Sequence, residues 1–164
     1  MILKDVISYL ESKDPSIVLP HGFAHPHSYR GYYECLAFEP AENVTVGTML
    51  SNARRALNAT YEGYKGGSFT MDEYTDVYLA QYGNTGETLS MLTIDAMFYL
   101  AERAALIKAC EAAYLRMLHL PLSSDFRFHS NSELARLRDA IALVRGASSE
   151  DVQNEFEERA GATP

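Results

Sequence analysis

The sequence predicts an α+β fold: an α-β-β-α-β-β antiparallel sheet with helices on one face, followed by an all-helical C-terminal segment. Three observations carry this reading. Apolar stripes of helical period open the chain at Ile2 and recur from Val46. Short β-prone runs lie after each stripe, punctuated by proline and glycine. From Leu89 onward the pattern changes to long, alanine-rich helix. The expected division is a core at 1–88, holding any ligand site, and a helical segment at 89–164 that packs on the core or forms an oligomer interface.

Ile2, Leu3, Val6, Ile7 and Leu10 line one face of a short amphipathic helix that ends before Asp14-Pro15. Ser16 to Leu19 is β-prone, and Pro20 and Gly22 then turn the chain into a histidine-rich stretch. Tyr33 to Phe38 alternates as a second strand, so residues 20–31 read as the long connection of a hairpin. Pro40-Ala41-Glu42-Asn43 reads as loop. Thr45 is the expected N-cap of a helix whose Val46, Met49, Leu50, Ala53 and Leu57 repeat at helical spacing, with Arg54 and Arg55 near its C-terminal end. Phe69 to Met71 and Thr75 to Tyr82 read as a second strand pair, closed by Gly83-Asn84-Thr85-Gly86.

Met91 to His119 reads as one long helix, or two with a kink, apolar around nearly its whole circumference. Such a helix must be covered on several sides, by the sheet and later helices or by another subunit. Leu120-Pro121-Leu122 ends it. Ser130-Asn131-Ser132-Glu133 reads as a capping box for a helix carrying Leu134, Leu137, Ile141 and Val144, which stops at Gly146. Ser148-Ser149-Glu150-Asp151 opens a final helix anchored by Val152 and Phe156, and residues 160–164 should fray.

Composition excludes some partners. The formal net charge is −8 and no basic run occurs, which argues against duplex nucleic acid, whose binding needs clustered Lys and Arg. Cys35 and Cys110 lie far apart without CxxC spacing, the pattern of two reduced thiols in a reducing compartment. The sequons at Asn43 and Asn58 then carry no glycosylation. Met1-Ile2-Leu3-Lys4-Asp5 lacks the start of a signal peptide, and charges at Asp95, Glu102, Arg103, Lys108 and Glu111 interrupt the most apolar stretch. A cytoplasmic protein with no membrane span is expected.

The densest chemistry lies between Pro20 and Tyr33. His21, His25 and His27 are spaced to begin a metal site with Glu34 or Asp76, but Pro26 breaks the strand between them and no further ligand stands at a motif spacing, so no metal or cofactor is assigned. His27-Ser28-Tyr29-Arg30-Gly31 points elsewhere. Arg30 offers a planar fork to phosphate or carboxylate, and Gly31 lets the backbone approach. Ser28 and His27 add donors, and Tyr29, Tyr32 or Tyr33 adds a flat face. Lys65-Gly66-Gly67 reads either as an anion-binding nest or as a hairpin turn that needs glycine. No GxxxxGK[ST], GxSxG or HExxH occurs. Were both loops at one end of the sheet, His27, Ser28, Tyr29, Arg30, Gly31, Tyr33, Lys65, Gly66 and Gly67 would form a pocket for a phosphorylated, ring-containing small molecule.

Pro26-His27-Ser28-Tyr29-Arg30-Gly31-Tyr32-Tyr33, Leu36-Ala37-Phe38-Glu39-Pro40, Asn43-Val44-Thr45-Val46-Gly47 and Lys65-Gly66-Gly67 give the chain, over about residues 5–85, a further feature. It resembles a group of small uncharacterised proteins encoded by phages and mobile elements of actinobacteria. The resemblance brings no catalytic residue with it. It implies a host-cell cytoplasm and, by analogy of size and pocket chemistry, a binder of a nucleotide-like small molecule, homo-oligomeric through residues 91–118, that sequesters a host immune signal as an anti-defence sponge. Two alternatives stand beside it: a hydrolase or transferase acting on a nucleotide or glycosidic bond in the same pocket, with His27 or a carboxylate as acid/base, and an acidic protein-interaction module that binds a host factor.

Overall fold

A long antiparallel hairpin organises the N-terminal part of the chain. In the computed structural model, which describes residues 1–118, 135–143 and 145–161, strand β1 spans Val18–Ser28 and pairs with β2, Leu36–Thr45. The histidine-rich stretch is therefore the strand itself and not its connection. Pro20 and Pro26 are tolerated because β1 is an edge strand, where a missing N–H breaks no ladder on the open side. Between Ala24 and Pro26 the register shifts at a bulge, where His25 adopts a left-handed φ of 44°. The second strand starts later than its alternation predicts: Tyr33 to Cys35 lie in the turn, and Pro40 to Asn43, expected as loop, continue β2, with Pro40 to Glu42 against His21 to Phe23.

Two helices cover one face of this hairpin. Helix α1, Leu3–Glu11, buries Leu3, Val6 and Leu10, and α2, Val46–Ala56, buries Val46, Met49, Ala53 and Ala56. Thr45 caps α2 as expected, its hydroxyl accepting from the Thr48 amide at 3.1 Å. Facing them on the sheet are Leu19, Phe23, Leu36, Phe38, Val77 and Leu79. Phe23 and Phe38 meet with ring centroids 4.5 Å apart; each fully buried ring of this kind contributes about 1.5–3 kcal/mol.

After α2 the chain departs from the expected strand pairing. Strand β3, Thr60–Glu62, which the sequence reading missed, pairs with β4, Ser68–Thr70, as a separate two-stranded sheet. Strand β5, Val77–Leu79, then lies parallel to β2, in register Leu36 with Val77 and Phe38 with Leu79. Parallel neighbours need a crossover, and α2 with the β3–β4 hairpin supplies it. A short β6, Glu87–Thr88, returns antiparallel to β5, giving a mixed sheet of order β1-β2-β5-β6. The fold is α+β, with one parallel pair where an all-antiparallel sheet was expected.

Helix α3 spans Met91–Leu118. The chain divides into two compact units, Met1–Ala101 and Glu102–Pro164, so the division falls within α3. In the first unit α3 buries Ile94, Met97 and Phe98 in the core, and Tyr9 donates a 2.5 Å hydrogen bond to Asp95. In the second unit Tyr114 of α3, Ile141 and Ala142 of α4 (residues 135–143) and Val152 and Phe156 of α5, Ser149–Gly161, form a small core. Val152 and Phe156 anchor α5 as expected, and the Ser148 hydroxyl accepts from the Asp151 amide at 3.1 Å. Arg145 pairs with Glu111 and Glu155 beside that core. The expected helix stop at Leu120-Pro121-Leu122 and the capping box at 130–133 lie outside the described residues. Among the described residues no helix is long and apolar enough to cross a membrane.

Candidate functional site

The turn between β1 and β2 is closed by its own backbone. The Tyr29 amide donates to the Cys35 carbonyl at 2.8 Å, the Cys35 amide to Tyr32 at 2.9 Å, and the Ser28 hydroxyl to Tyr33 at 2.8 Å. These bonds fix which side chains turn inward. His27, Ser28 and Tyr29 are buried. The Tyr29 ring stacks on Tyr78 with centroids 4.1 Å apart and planes at 6°, and its hydroxyl lies 3.3 Å from the Gly86 carbonyl. A Cβ at Gly31 would collide with the Tyr29 ring. Tyr29 is thus covered and offers no free face.

His27 is similarly engaged. Its Nδ1 lies 2.9 Å from the Ser28 carbonyl oxygen and its Nε2 3.0 Å from the Ala80 carbonyl oxygen, the tautomer setting which nitrogen donates. Both ring nitrogens face backbone, so the imidazole ties the end of β1 to the residue after β5. His21 and His25 are exposed, and no group of three or more potential metal ligands occurs among the described residues.

The second loop comes from the β3–β4 hairpin. Gly66 and Gly67 both take φ of 92°, a conformation glycine supplies without strain, and the Gly66 amide donates to the Gly63 carbonyl at 2.7 Å. Of the two readings of this loop, the hairpin turn accounts for both glycines, and the Gly66 amide is spent inside the turn. The hairpin leans on the first loop through Phe69, whose ring lies 5.5 Å from that of Tyr33. That contact carries Lys65 to the side on which Arg30, Tyr32 and Tyr33 emerge.

Arg30 sits where the loops meet. Its guanidinium donates to the Gly83 carbonyl and lies over the Tyr64 ring, 4.7 Å from the centroid. Tyr64 in turn meets Tyr82 edge-on at 6.0 Å, and Tyr82 meets His27 at 5.3 Å. Gly83 has φ of 78° and packs under Tyr64, where a Cβ would come within 2.8 Å of the ring. Sequence reasoning assigned none of Tyr64, Tyr82 and Gly83 to the site. The available signal was a tyrosine standing shortly before a glycine in Tyr64-Lys65-Gly66 and Tyr82-Gly83.

Two shallow grooves open at Arg30. One, of about 470 Å³, is lined by Arg30, Gly31, Tyr32, Tyr33, Glu34, Lys65 and Phe69. The other, of about 650 Å³, is lined by Arg30, Pro40, Leu79, Ala80, Gln81, Asn84, Thr85 and Gly86. Of the expected site residues, the first groove gathers Arg30, Gly31, Tyr33 and Lys65. His27, Ser28 and Tyr29 lie beneath the surface as supports, and Gly66 and Gly67 shape the hairpin without lining either groove. Below the turn, burial first and then the carboxylates of Asp76 and Glu34 push the Cys35 thiol up from its ordinary pKa. No family model, curated protein or solved structure gave a match to this chain.

Proposed function

We propose that this chain binds a phosphorylated, ring-containing small molecule of the nucleotide class in the groove between Arg30 and Lys65. One observation carries the reading: two cations from separate loops line the same groove with three aromatic rings, Tyr32, Tyr33 and Phe69. Arg30 is held by Gly83 and Tyr64, so its planar fork is oriented before a phosphate arrives. Among the described residues none pairs with Lys65, which leaves its ammonium for the same phosphate. The rings offer a stacking face, and Glu34 can accept from a sugar hydroxyl or an exocyclic amine.

Binding is favoured over turnover. Among the described residues the groove holds one carboxylate and no histidine, and His27, the residue suited to acid/base work, has both ring nitrogens against backbone carbonyls. A chain that holds a nucleotide-like signal without consuming it suits sequestration in the cytoplasm, a compartment with which two free thiols agree. Self-association through α3 belongs to the same proposal: Leu92 and Tyr99, seven residues apart and so on one helix face, are 79% and 64% exposed. Light scattering on the full chain should give a mass above that of one 18.3 kDa chain, falling towards it in Leu92→Glu; a wild-type monomer removes this part.

The binding test is isothermal titration of the full-length protein with AMP and ADP. Saturable binding is expected, weakened about tenfold or more by Lys65→Ala, as loss of a charge-assisted contact implies. Lys65 is exposed, so the variant should keep the wild-type circular dichroism. Absence of binding at millimolar nucleotide by folded wild-type protein overturns the proposal.

A further inference from the structure

Arg30 lines both grooves, and no other described residue does. We infer that the ligand has two ribose-bearing halves joined through a pyrophosphate, at least one of them a nucleoside, with the pyrophosphate at Arg30 and one half in each groove. This rests on the nucleotide reading above and extends it to a substrate class.

The chemistry of the second groove differs from that of the first in the way a second half requires. Among the described residues Arg30 is the only charged one lining it, so away from the divide these residues offer no charge to a phosphate. It presents Gln81, Asn84 and Thr85, whose side chains make no hydrogen bond to any described residue. Two amides and a hydroxyl supply the mixed donors and acceptors that base edges and ribose hydroxyls need. Pro40 and Leu79 give these groups an apolar floor. At about 650 and 470 Å³ each groove falls in the range of about 300–1,000 Å³ in which small-molecule sites occur.

The wall of the second groove is also built. At Gly86 a Cβ would collide with the Leu79 carbonyl oxygen, so only glycine permits the turn to close onto β5. Tyr29 holds Gly86 from below, and Gly83 binds the Arg30 guanidinium through its carbonyl. One short turn, Gly83 to Gly86, thus orients the shared cation and forms the second groove. A pyrophosphate at Arg30 carries charge on both phosphates, and Lys65 reaches it from the first groove alone. Linked halves that fill both grooves gain over a single half, because the second contact is then intramolecular.

Isothermal titration of the full chain with AMP and with ADP-ribose tests this. ADP-ribose should bind about tenfold or more tighter than AMP, and Asn84→Ala should bring the ratio of the two affinities to about one. Equal affinities in the wild type overturn the two-groove inference and leave the nucleotide reading standing. A preference for ADP-ribose that persists in Asn84→Ala overturns the assignment of the second half to this groove. If neither compound binds, both readings fall. Asn84 is exposed and its side chain supports no described contact, so loss of folding will not mimic the expected result.

Discussion

His27 and Arg30 are three residues apart and take opposite parts. The imidazole is buried between two carbonyl oxygens, whereas the guanidinium stands at the surface between two grooves. Sequence chemistry gave both a part in ligand contact, Arg30 as a planar fork and His27 as a further donor. It did not separate support from contact, since that depends on which carbonyl comes near: Ala80 for His27 and Gly83 for Arg30, both supplied by a distant segment. Cys35 gives a prediction at this scale. With the thiol disfavoured from ionising by burial, Asp76 and Glu34, the alkylation rate of the native Cys110→Ser protein should rise with pH at a higher midpoint than that of the same protein in urea. A native midpoint at or below the denatured one would refute the burial of Cys35.

The elements were legible to different degrees. Helices α1 and α2 follow directly from their apolar stripes, and α2 from its threonine cap as well. Replacing Thr45 by Ala should destabilise the protein by about 1 kcal/mol, read as a lower urea midpoint at unchanged slope. An unchanged midpoint would mean the cap contributes nothing. The strands were harder. Prolines at positions 20, 26 and 40 read locally as loop signals, yet all three lie within β1 and β2. Pairing along the hairpin outweighs them, with Pro20 and Pro26 on an edge strand and the register shifting at His25. The parallel pairing of β5 was not legible at all, because three residues carry no directional signal and the outcome depends on where α2 and the β3–β4 hairpin send the chain.

At the scale of the molecule, each of the two units has a hydrophobic cluster of its own, and the described residues of the candidate site all belong to the first. The sequence foresaw a change of character near residue 89, which is close to where α3 begins at Met91. The sequence put Arg30 and Lys65 in one pocket only on the condition that their loops share an end of the sheet; the two line one groove, beside the contact of Tyr33 with Phe69. Two cations in one groove of a chain with net charge −8 make that groove an exception to the protein's general character.

The prolines of β1 have one more effect, on how copies of the chain behave in concentrated solution. A sheet edge of eleven residues is a template on which another strand can add, and from there fibrils can grow. Pro20 and Pro26 each remove an amide donor from β1, and the kink at His25 breaks its straight run. Pro20→Thr combined with Pro26→Thr should therefore shorten the lag before thioflavin fluorescence appears on agitation, by several-fold, without loss of the folded state beforehand. An unaltered lag would mean that something other than these residues guards the edge.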